Sequence, residues 1–302
     1  MKRLLVFFLA LLPFVSAFAD NDPAVNRETQ TYQLDGFDAL EASWMYQVEL
    51  SQSPSFSVSV EAPDFVMPFL DVRVRNGFLK LSVQDMPKDI RRKLENGSYE
   101  IYAKVSMPEL SAVELSGAAK LESFDAFKAP KENFSLDLSG ASAVKSLKVS
   151  ATHCKIDCSG ASKFSLNGNF QQIRIGLSGA ASGKMASDSQ ELNLDLSGSA
   201  KLFLSGNHQK VKAEVSGAGN VEMEGAAERL VFNGSGAAKG YFLKCPVLEA
   251  SVGLSGAARI HLDVKEDLAV RLTAAASCYY RAGEHLTLSD IDVSRGATLK
   301  KL

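Results

Sequence analysis

The sequence of 302 residues has little excess charge, few cysteines and no long apolar run beyond its N-terminal segment. Lysine and arginine (33) nearly balance aspartate and glutamate (35), so the formal net charge is −2. The chain therefore lacks the basic excess that is typical of nucleic-acid binding. Beyond Ala19, no apolar stretch approaches the roughly 20 residues that a membrane-spanning helix needs. These absences disfavour both a nucleic-acid-binding protein and a helical membrane protein.

The four cysteines do not form a pattern that predicts disulfides or a metal site. They are Cys154, Cys158, Cys245 and Cys278. Cys154 and Cys158 lie four positions apart on one predicted strand, which separates their Cα atoms by about 13 Å, too far for a disulfide. One Cys-x3-Cys pair without a matching histidine or cysteine cluster also disfavours zinc. We predict buried thiols, no metal and no cofactor.

The N-terminal segment, residues 1–19, has the features of an export signal. Lys2 and Arg3 precede a short apolar segment from Leu4 to Val15, and Ala17-Phe18-Ala19 matches a cleavage site of the A-x-A type. The apolar segment is shorter than a membrane-spanning helix. We therefore expect a signal peptide over residues 1–19 and a mature chain over residues 20–302.

A Ser-Gly-(Ala/Ser) triplet recurs eight times from Ser116 onward. The triplets begin at Ser116, Ser139, Ser159, Ser178, Ser197, Ser216, Ser235 and Ser255. Successive triplets are roughly 20 residues apart, with the first interval the longest, and this period is typical of a stacked solenoid. Counted from the serine, apolar residues alternate at −5, −3 and −1 and again at +5 and +7. This alternation predicts two strands per coil, each with one buried face.

The central glycine of each triplet is predicted to form a sharp corner, because glycine adopts positive φ at little cost. The predicted structural turns are Gly117, Gly140, Gly160, Gly179, Gly198, Gly217, Gly236 and Gly256. The small serine and alanine neighbours allow corners to stack at strand spacing. The opposite corner, for example Ser205-Gly206-Asn207, is more variable, and we expect a looser connection there.

Residues 20–110 lack the triplet and are predicted to form an N-terminal β cap or the first coils, followed by the repeats over residues 111–302. Val72 to Arg75 and Phe78 to Val83 are predicted strands, and Asn76-Gly77 between them is a hairpin signal. The charged segment from Met86 to Gly97 is predicted to be an exposed loop or short helix. Because no linker separates the two parts, we expect one continuous domain over residues 20–302.

An ordered series of motifs resembles the bacterial head GIN domain family, which is described as putative autotransporter adhesin heads. The series consists of Phe37-Asp38-Ala39-Leu40, the strand-Asn-Gly-strand unit from Val72 to Leu81, the segment Ile101 to Leu110 and the repeated corners. The resemblance covers about residues 30–300. It implies a right-handed, single-stranded parallel β-helix related in shape to pectin lyases, with an adhesive role and no family catalytic residues. It also implies the periplasm or outer surface of a Gram-negative bacterium.

Acidic residues recur at position −2 and define an acidic column. Its members are Glu114, Asp137, Asp157, Asp195 and Glu214. Carboxylates stacked at strand spacing would repel one another, so a divalent cation bound between coils is one hypothesis. Acid/base chemistry on a polysaccharide, as in β-helix pectinases, is a second. We favour the third, a solvated charged face helped by lysines at −4, because surface charges rarely have a further role.

Aromatic residues recur at position +6 near the C-terminal end and define an aromatic column. Its members are Phe203, Tyr241, His261 and Tyr279. Exposed aromatic rings on a rigid sheet can stack on sugars or anchor a protein, whereas burial against a cap or a second copy is the competing interpretation. His153, His208 and His285 lie near no nucleophile motif, and we expect every histidine at the surface or in a turn.

We therefore predict an exported, non-enzymatic β-helix protein, a cell-surface adhesin or a binding module for glycan or protein partners. One alternative is a polysaccharide lyase or hydrolase that uses the acidic column. Another is a structural component of the envelope that associates with copies of itself and would form a homo-oligomer. No nucleic acid is expected as a partner.

Overall fold

The computed structural model describes residues 25–97 and 99–302, so the predicted signal peptide lies outside the described residues. About 65% of the chain is strand and 5% is helix, and the strands stack in parallel into a β-solenoid of about 10 turns. The predicted all-β solenoid is confirmed. All 23 described strands are hydrogen-bonded into one sheet that winds around a single apolar core.

The N-terminal part contains seven strands and one α-helix. These are β1 (Arg27–Tyr32), β2 (Ala39–Ala42), β3 (Tyr46–Gln52), β4 (Ser57–Pro63), β5 (Leu70–Arg75), β6 (Phe78–Val83), α1 (Lys88–Asn96) and β7 (Ile101–Met107), with a 3-10 turn at Met67–Phe69. The predicted hairpin at Asn76-Gly77 is confirmed, since β5 and β6 pair antiparallel around it. The short-helix interpretation of the charged segment is also correct, because α1 lies within it.

The repeats contain sixteen strands. They are β8 (Ala112–Leu115), β9 (Lys120–Lys128), β10 (Asn133–Leu138), β11 (Ala143–Ser150), β12 (His153–Cys158), β13 (Lys163–Asn169), β14 (Gln172–Leu177), β15 (Ser182–Ala186), β16 (Ser189–Leu196), β17 (Lys201–Val215), β18 (Asn220–Gly234), β19 (Lys239–Leu254), β20 (Arg259–Leu272), β21 (Ser277–Ala282), β22 (Thr287–Val293) and β23 (Thr298–Lys301), with a 3-10 turn at Pro130–Glu132. Strands before the corner pair in parallel with one another, and so do strands after the corner. Register shifts interrupt the pairing of β11 with β9 and β13, and the pairing of β19 with β18 and β20.

The corner glycines lie directly over one another. All eight have φ between +66° and +69°, the left-handed region in which a side chain is disfavoured. At one such corner, the backbone N of Ala218 donates to the carbonyl oxygen of Gly198 at 2.7 Å. A Cβ atom added to Gly217 would lie 2.7 Å from that same oxygen. Close approach and backbone conformation therefore both require glycine.

The opposite corner in the C-terminal half lies within long strands, but its regularity differs from coil to coil. Strands β17 to β20 run through it without interruption and reach 14 to 16 residues each. Gly206 and Gly225 stack at this bend, and a Cβ atom on Gly225 would lie 1.9 Å from the Gly206 carbonyl oxygen. Backbone pairing continues through the bend between β17 and β18, whereas register shifts interrupt it between β18 and β19 and between β19 and β20. The predicted variability of this corner is therefore confirmed for the later coils and wrong for β17 and β18.

The N-terminal end of the solenoid is covered by strands that depart from chain order. The coil formed by β2 and β3 lies between the coil of β8 and β9 and an outer layer of β6 and β7. Beyond that layer, β5 pairs antiparallel with β6, and β4 and β1 extend β7. Leu94 of α1 is fully buried at this end. The N-terminal part thus supplies both a coil and a cap.

Candidate functional site

Three of the four residues of the aromatic column are neighbours in adjacent coils. Tyr241 pairs with His261, and His261 pairs with Tyr279. Ring centroids are 5.5 Å apart in the first pair and 4.8 Å in the second, with planes only 10° and 12° from parallel. Phe203 lies in the same column but is separated from Tyr241 by Glu222. We call Tyr241, His261 and Tyr279 the aromatic stack.

Within the aromatic stack, His261 lies between the two tyrosine rings and is nearly parallel to both. Tyr241 is 37% exposed, whereas His261 and Tyr279 are half-buried. Burial, and then the positive charge of Arg259, lower the pKa of His261, so its ring is neutral at neutral pH. A ligand at the stack would therefore meet ring edges and tyrosine hydroxyls, and it could not insert between the rings.

The acidic column is continuous except where glycine interrupts it. Glu114 pairs with Asp137, Asp137 with Asp157, and Asp195 with Glu214. The interruption is Gly176, which lies between Asp157 and Asp195. Each of the five carboxylates therefore faces at least one like charge on a neighbouring coil.

Lysines form ion pairs with two of the five carboxylates of the acidic column. Lys155 Nζ lies 2.7 Å from Asp157, and Lys212 Nζ lies 2.7 Å from Glu214. Burial raises the pKa of Glu114, and the adjacent carboxylates of Glu41 and Asp137 raise it further. Across residues 25–97 and 99–302, no group of three or more histidine, cysteine or acidic side chains is arranged to bind a metal ion.

His208 is buried, so the prediction that every histidine lies at the surface or in a turn is wrong. Its side chain is 4% exposed, and its Nδ1 lies 2.7 Å from the hydroxyl oxygen of Ser189 in the preceding coil. His208 pairs with Ala227, which pairs with Val247, so it occupies an inward column of the opposite corner. Burial lowers the pKa of His208 to about 4, against the opposing effect of Asp188. The sequence did indicate this burial, because the residues that follow His208 at the same position in later coils, Ala227 and Val247, are apolar.

All four cysteines are free and buried, as predicted. Burial raises the pKa of Cys158, Cys245 and Cys278 to about 12, and it raises the pKa of Cys154 as well. Because the thiolate is the reactive form, these groups are poor nucleophiles and metal ligands at neutral pH. Their role is packing in the core.

A surface cleft of about 570 Å³ lies between β3, β7 and β9, a region without a predicted site residue. Strand β9 pairs with β3 only from Lys120 to Glu122 and then bulges, so that its nine residues face eight in β11. The bulge leaves Phe124 74% exposed at the cleft wall. We call this feature the Phe124 cleft.

Charged side chains of both signs line the Phe124 cleft as ion pairs. The pairs are Lys104–Glu49 at 3.8 Å, Lys120–Glu100 at 3.4 Å and Lys145–Glu122 at 3.8 Å. The combination of an exposed aromatic ring with balanced donors and acceptors suits a neutral, hydroxyl-rich ligand better than an ion. The sequence signal for the cleft was the interval from Ser116 to Ser139, which is longer than every later triplet interval.

A family model described as "putative auto-transporter adhesin, head GIN domain" matches residues 36–188 and 171–283. These matches cover most of the sequence, and the chain belongs to this family. The resemblance drawn from the sequence motifs is confirmed. A search of curated proteins found no match.

Within the described residues, no helix combines the length and apolar character needed to cross a bilayer.

Solved structures that are similar to the chain include three from Parabacteroides. A putative lipid binding protein from Parabacteroides distasonis ATCC 8503 is 13% identical, with a TM-score of 0.49 over 92% of this chain and 97% of that chain. A putative adhesin from the same organism is 12% identical, with a TM-score of 0.49 over 92% and 98%. A putative adhesin from Parabacteroides merdae ATCC 43184 is 13% identical, with a TM-score of 0.47 over 91% and 96%.

Proposed function

We propose that this protein is an exported, non-enzymatic binding module of the bacterial envelope whose ligand is a surface glycan or a protein partner. Membership in a family described as an adhesin head supports this role. The signal expected over residues 1–19 supports export to the periplasm or outer surface of a Gram-negative bacterium. Under this proposal, residues 20–302 form one continuous domain, with residues 20–110 and 111–302 as its two parts.

The Phe124 cleft is the observation that carries the proposal. Among the described residues, Phe124 is the most exposed large apolar side chain, at 74%. Isolated exposed apolar residues are common on protein surfaces, but a ring at the wall of a cleft that also presents paired charges is a feature of ligand sites. One sugar ring could stack on Phe124 while its hydroxyls bond to the cleft carboxylates and ammonium groups.

The aromatic column is a second proposed contact on the same face of the rod. Glu122 of the cleft and Tyr241 of the aromatic stack both occupy position +6, six coils apart, which corresponds to about 29 Å. A linear polymer or an extended protein segment could therefore contact both. The stack would contribute hydrogen bonds from the Tyr241 and Tyr279 hydroxyls, with Phe203 between the two contacts.

The test is a glycan array with the mature protein, followed by calorimetric titration of the best ligand. We expect Phe124→Ala to weaken binding about tenfold, because stacking on one aromatic ring contributes roughly 1–2 kcal/mol. The double variant Tyr241→Ala, Tyr279→Ala should weaken binding by a smaller factor. Val231→Ala is the matched control, because Val231 is 39% exposed on a strand before the corner.

Normal affinity in both Phe124→Ala and the double tyrosine variant would contradict the proposed contacts. Unfolding of the tyrosine variants would show that the aromatic stack is structural. The enzymatic alternative predicts product release from uronate polymers that is lost in Asp137→Ala or Asp157→Ala, and we expect no release from the wild type.

A further inference from the structure

The C-terminal end of the solenoid lacks the antiparallel cover of the N-terminal end. Within the described residues, β22 pairs with β20 alone, and β23 pairs with β21 alone. Each strand therefore presents one free edge, a template for pairing with another strand. At the N-terminal end, β5 covers the outer edge of β6, β4 covers the outer edge of β7, and β1 pairs with β4.

Apolar side chains that are buried in earlier coils are open to solvent in this one. Leu268, Val270 and Leu272 of β20 are between 0% and 2% exposed. Their partners in the next coil are Leu288, Ile291 and Val293, which are 45%, 40% and 37% exposed. The last coil thus presents an apolar surface that another molecule could cover.

The backbone groups on the free edges can be assigned from the bonds to the preceding coil. The N–H groups of Ser294, Thr298 and Leu302 donate to that coil at 2.8–2.9 Å. Because successive residues of a strand direct their backbone groups to opposite sides, Val293 of β22 and Leu299 of β23 direct theirs to the open end. Both free edges can therefore form a regular ladder.

The two free edges carry opposite charge. Asp290 and Asp292 of β22 are 72% and 65% exposed, and they share the single guanidinium of Arg271 at 3.9 Å and 3.6 Å. Lys300 and Lys301 of β23 form no ion pair within the part of the chain that the structure describes. One edge is acidic and the other is basic, so the end surface is complementary to itself.

We propose that two copies of this chain pair end to end through β22 and β23, independently of the ligand proposed above. The two-fold axis passes through the corner of the last coil, residues 294–297, and bisects the angle between the strands. A half-turn about this axis places β22 of one copy on β23 of the other. Because β22 runs toward the corner and β23 runs away from it, both pairs are antiparallel. The interface is therefore isologous, as in most homodimers.

The side-chain pattern, together with apolar and charge matching, selects the register of this pairing. Directly opposed residues in an antiparallel pair point to the same side, so inward Val293 can face either Leu299 or Lys301 of the partner subunit, whose neighbours Cys278 and Tyr280 are both buried. We choose Leu299, because this register places two apolar side chains opposite each other. That register places Asp292 opposite Lys300 of the partner subunit. Opposite charges at directly opposed positions stabilise a strand pair, whereas like charges destabilise it. An acidic edge on β22 and a basic edge on β23 favour a second copy over an unrelated strand.

The test measures the mass of the purified protein by sedimentation equilibrium. We expect a dimer, and we expect each of two charge-reversed variants to be monomeric. The variants are Asp290→Lys with Asp292→Lys, and Lys300→Glu with Lys301→Glu. Each should raise the dissociation constant at least about tenfold, because like charges then face each other in both strand pairs. Mixing the two variants restores opposite charge in both pairs and should give a heterodimer.

Asp195→Lys is the control, because it reverses an exposed charge of the acidic column in the middle of the rod. It should dimerise like the wild type. A monomeric wild type would overturn the proposal. A dimer that neither charge reversal weakens would also overturn it, since such a dimer uses another surface.

Cysteine crosslinking tests the register without reversing any charge. The double variant Asp292→Cys, Lys300→Cys should form disulfide-linked dimers on oxidation, because directly opposed residues without backbone bonds between them lie about 4.5 Å apart at Cα. The native cysteines are buried and should contribute little background. Asp292→Cys alone should remain uncrosslinked. Failure of the double variant to crosslink, while the protein remains a dimer, would overturn the register.

Discussion

At the scale of single residues, Gly217 and Gly176 show how position decides what a glycine does. Gly217 has φ of +66°, and an added Cβ would lie 2.7 Å from a backbone carbonyl. Gly176 lies in a strand, and its added Cβ would meet the movable carboxylate of Asp157 at 2.8 Å. The first clash can be relieved only by moving the backbone of a neighbouring coil, whereas the second needs only a side-chain rotation.

We therefore expect Gly217→Ala to lower the free energy of unfolding by about 2 kcal/mol or more, the combined effect of a left-handed alanine and a backbone clash. Gly176→Ala is the matched control and should change stability by less than about 1 kcal/mol, since alanine restricts the unfolded chain. Urea denaturation followed by circular dichroism would measure both. Equal destabilisation in the two variants would contradict this account of the corner.

His208 makes stability depend on pH. Its pKa is about 4 in the folded chain, whereas histidine in the unfolded chain titrates near 6.5. The unfolded state therefore binds the proton first as pH falls, so stability that is present above pH 6.5 is lost progressively toward pH 4. The loss amounts to about 3 kcal/mol if the burial effect is fully expressed.

His208→Gln should remove most of this dependence, because glutamine keeps a polar group near Ser189 but does not titrate. The measurement is the urea midpoint of unfolding at pH 7.5 and pH 4.5 in both proteins. Comparing the two proteins isolates His208, because the contribution of the carboxylates to the pH dependence is common to both. An identical loss of stability in wild type and variant would assign the pH dependence to other groups.

At the scale of elements, patterns that are local in the sequence were sufficient for most strands. The alternation around each triplet predicted the paired strands of the repeats, and Asn76-Gly77 predicted the hairpin of β5 and β6. The charged run from Lys88 to Lys93 interrupted the strand pattern and indicated the position of helix α1. Each of these signals acts within the length of a single coil.

Features that depend on distant pairing could not be predicted in the same way. The position of β2 and β3 between β8, β9 and the outer strands β6, β7 depends on segments far apart in the chain, as in the pairing of Ala39 with Ala112. Alternation predicted that the residues of the aromatic column share one face, but it could not predict that the rings of Tyr241 and His261 stack on each other. The bulge that exposes Phe124 is a local break in register, and only an unusual triplet interval indicated it.

At the scale of the whole molecule, the rod is a one-dimensional stack whose two ends differ. In such a stack each coil is stabilised by its two neighbours, so a coil with one neighbour is the least stable. The outer N-terminal layer regains the missing contacts through β1, β4 and β5, and Leu79 and Leu81 in that layer are fully buried. Strand β22 has no such cover within the described chain, and all seven of its residues are exposed.

Local opening should therefore begin at β22 and β23 and proceed toward the N-terminus. Hydrogen exchange followed by mass spectrometry should show the fastest backbone exchange in these two strands and the slowest in β2 and β8, which have partners on both sides. The experiment uses the variant Asp290→Lys, Asp292→Lys, which is expected to be monomeric. In the wild type, the proposed dimer would slow exchange at the same edges and hide the local opening of the last coil. Uniform exchange along the variant would mean that the coils open together, and a stack stabilised by nearest neighbours would then be the wrong description of this rod.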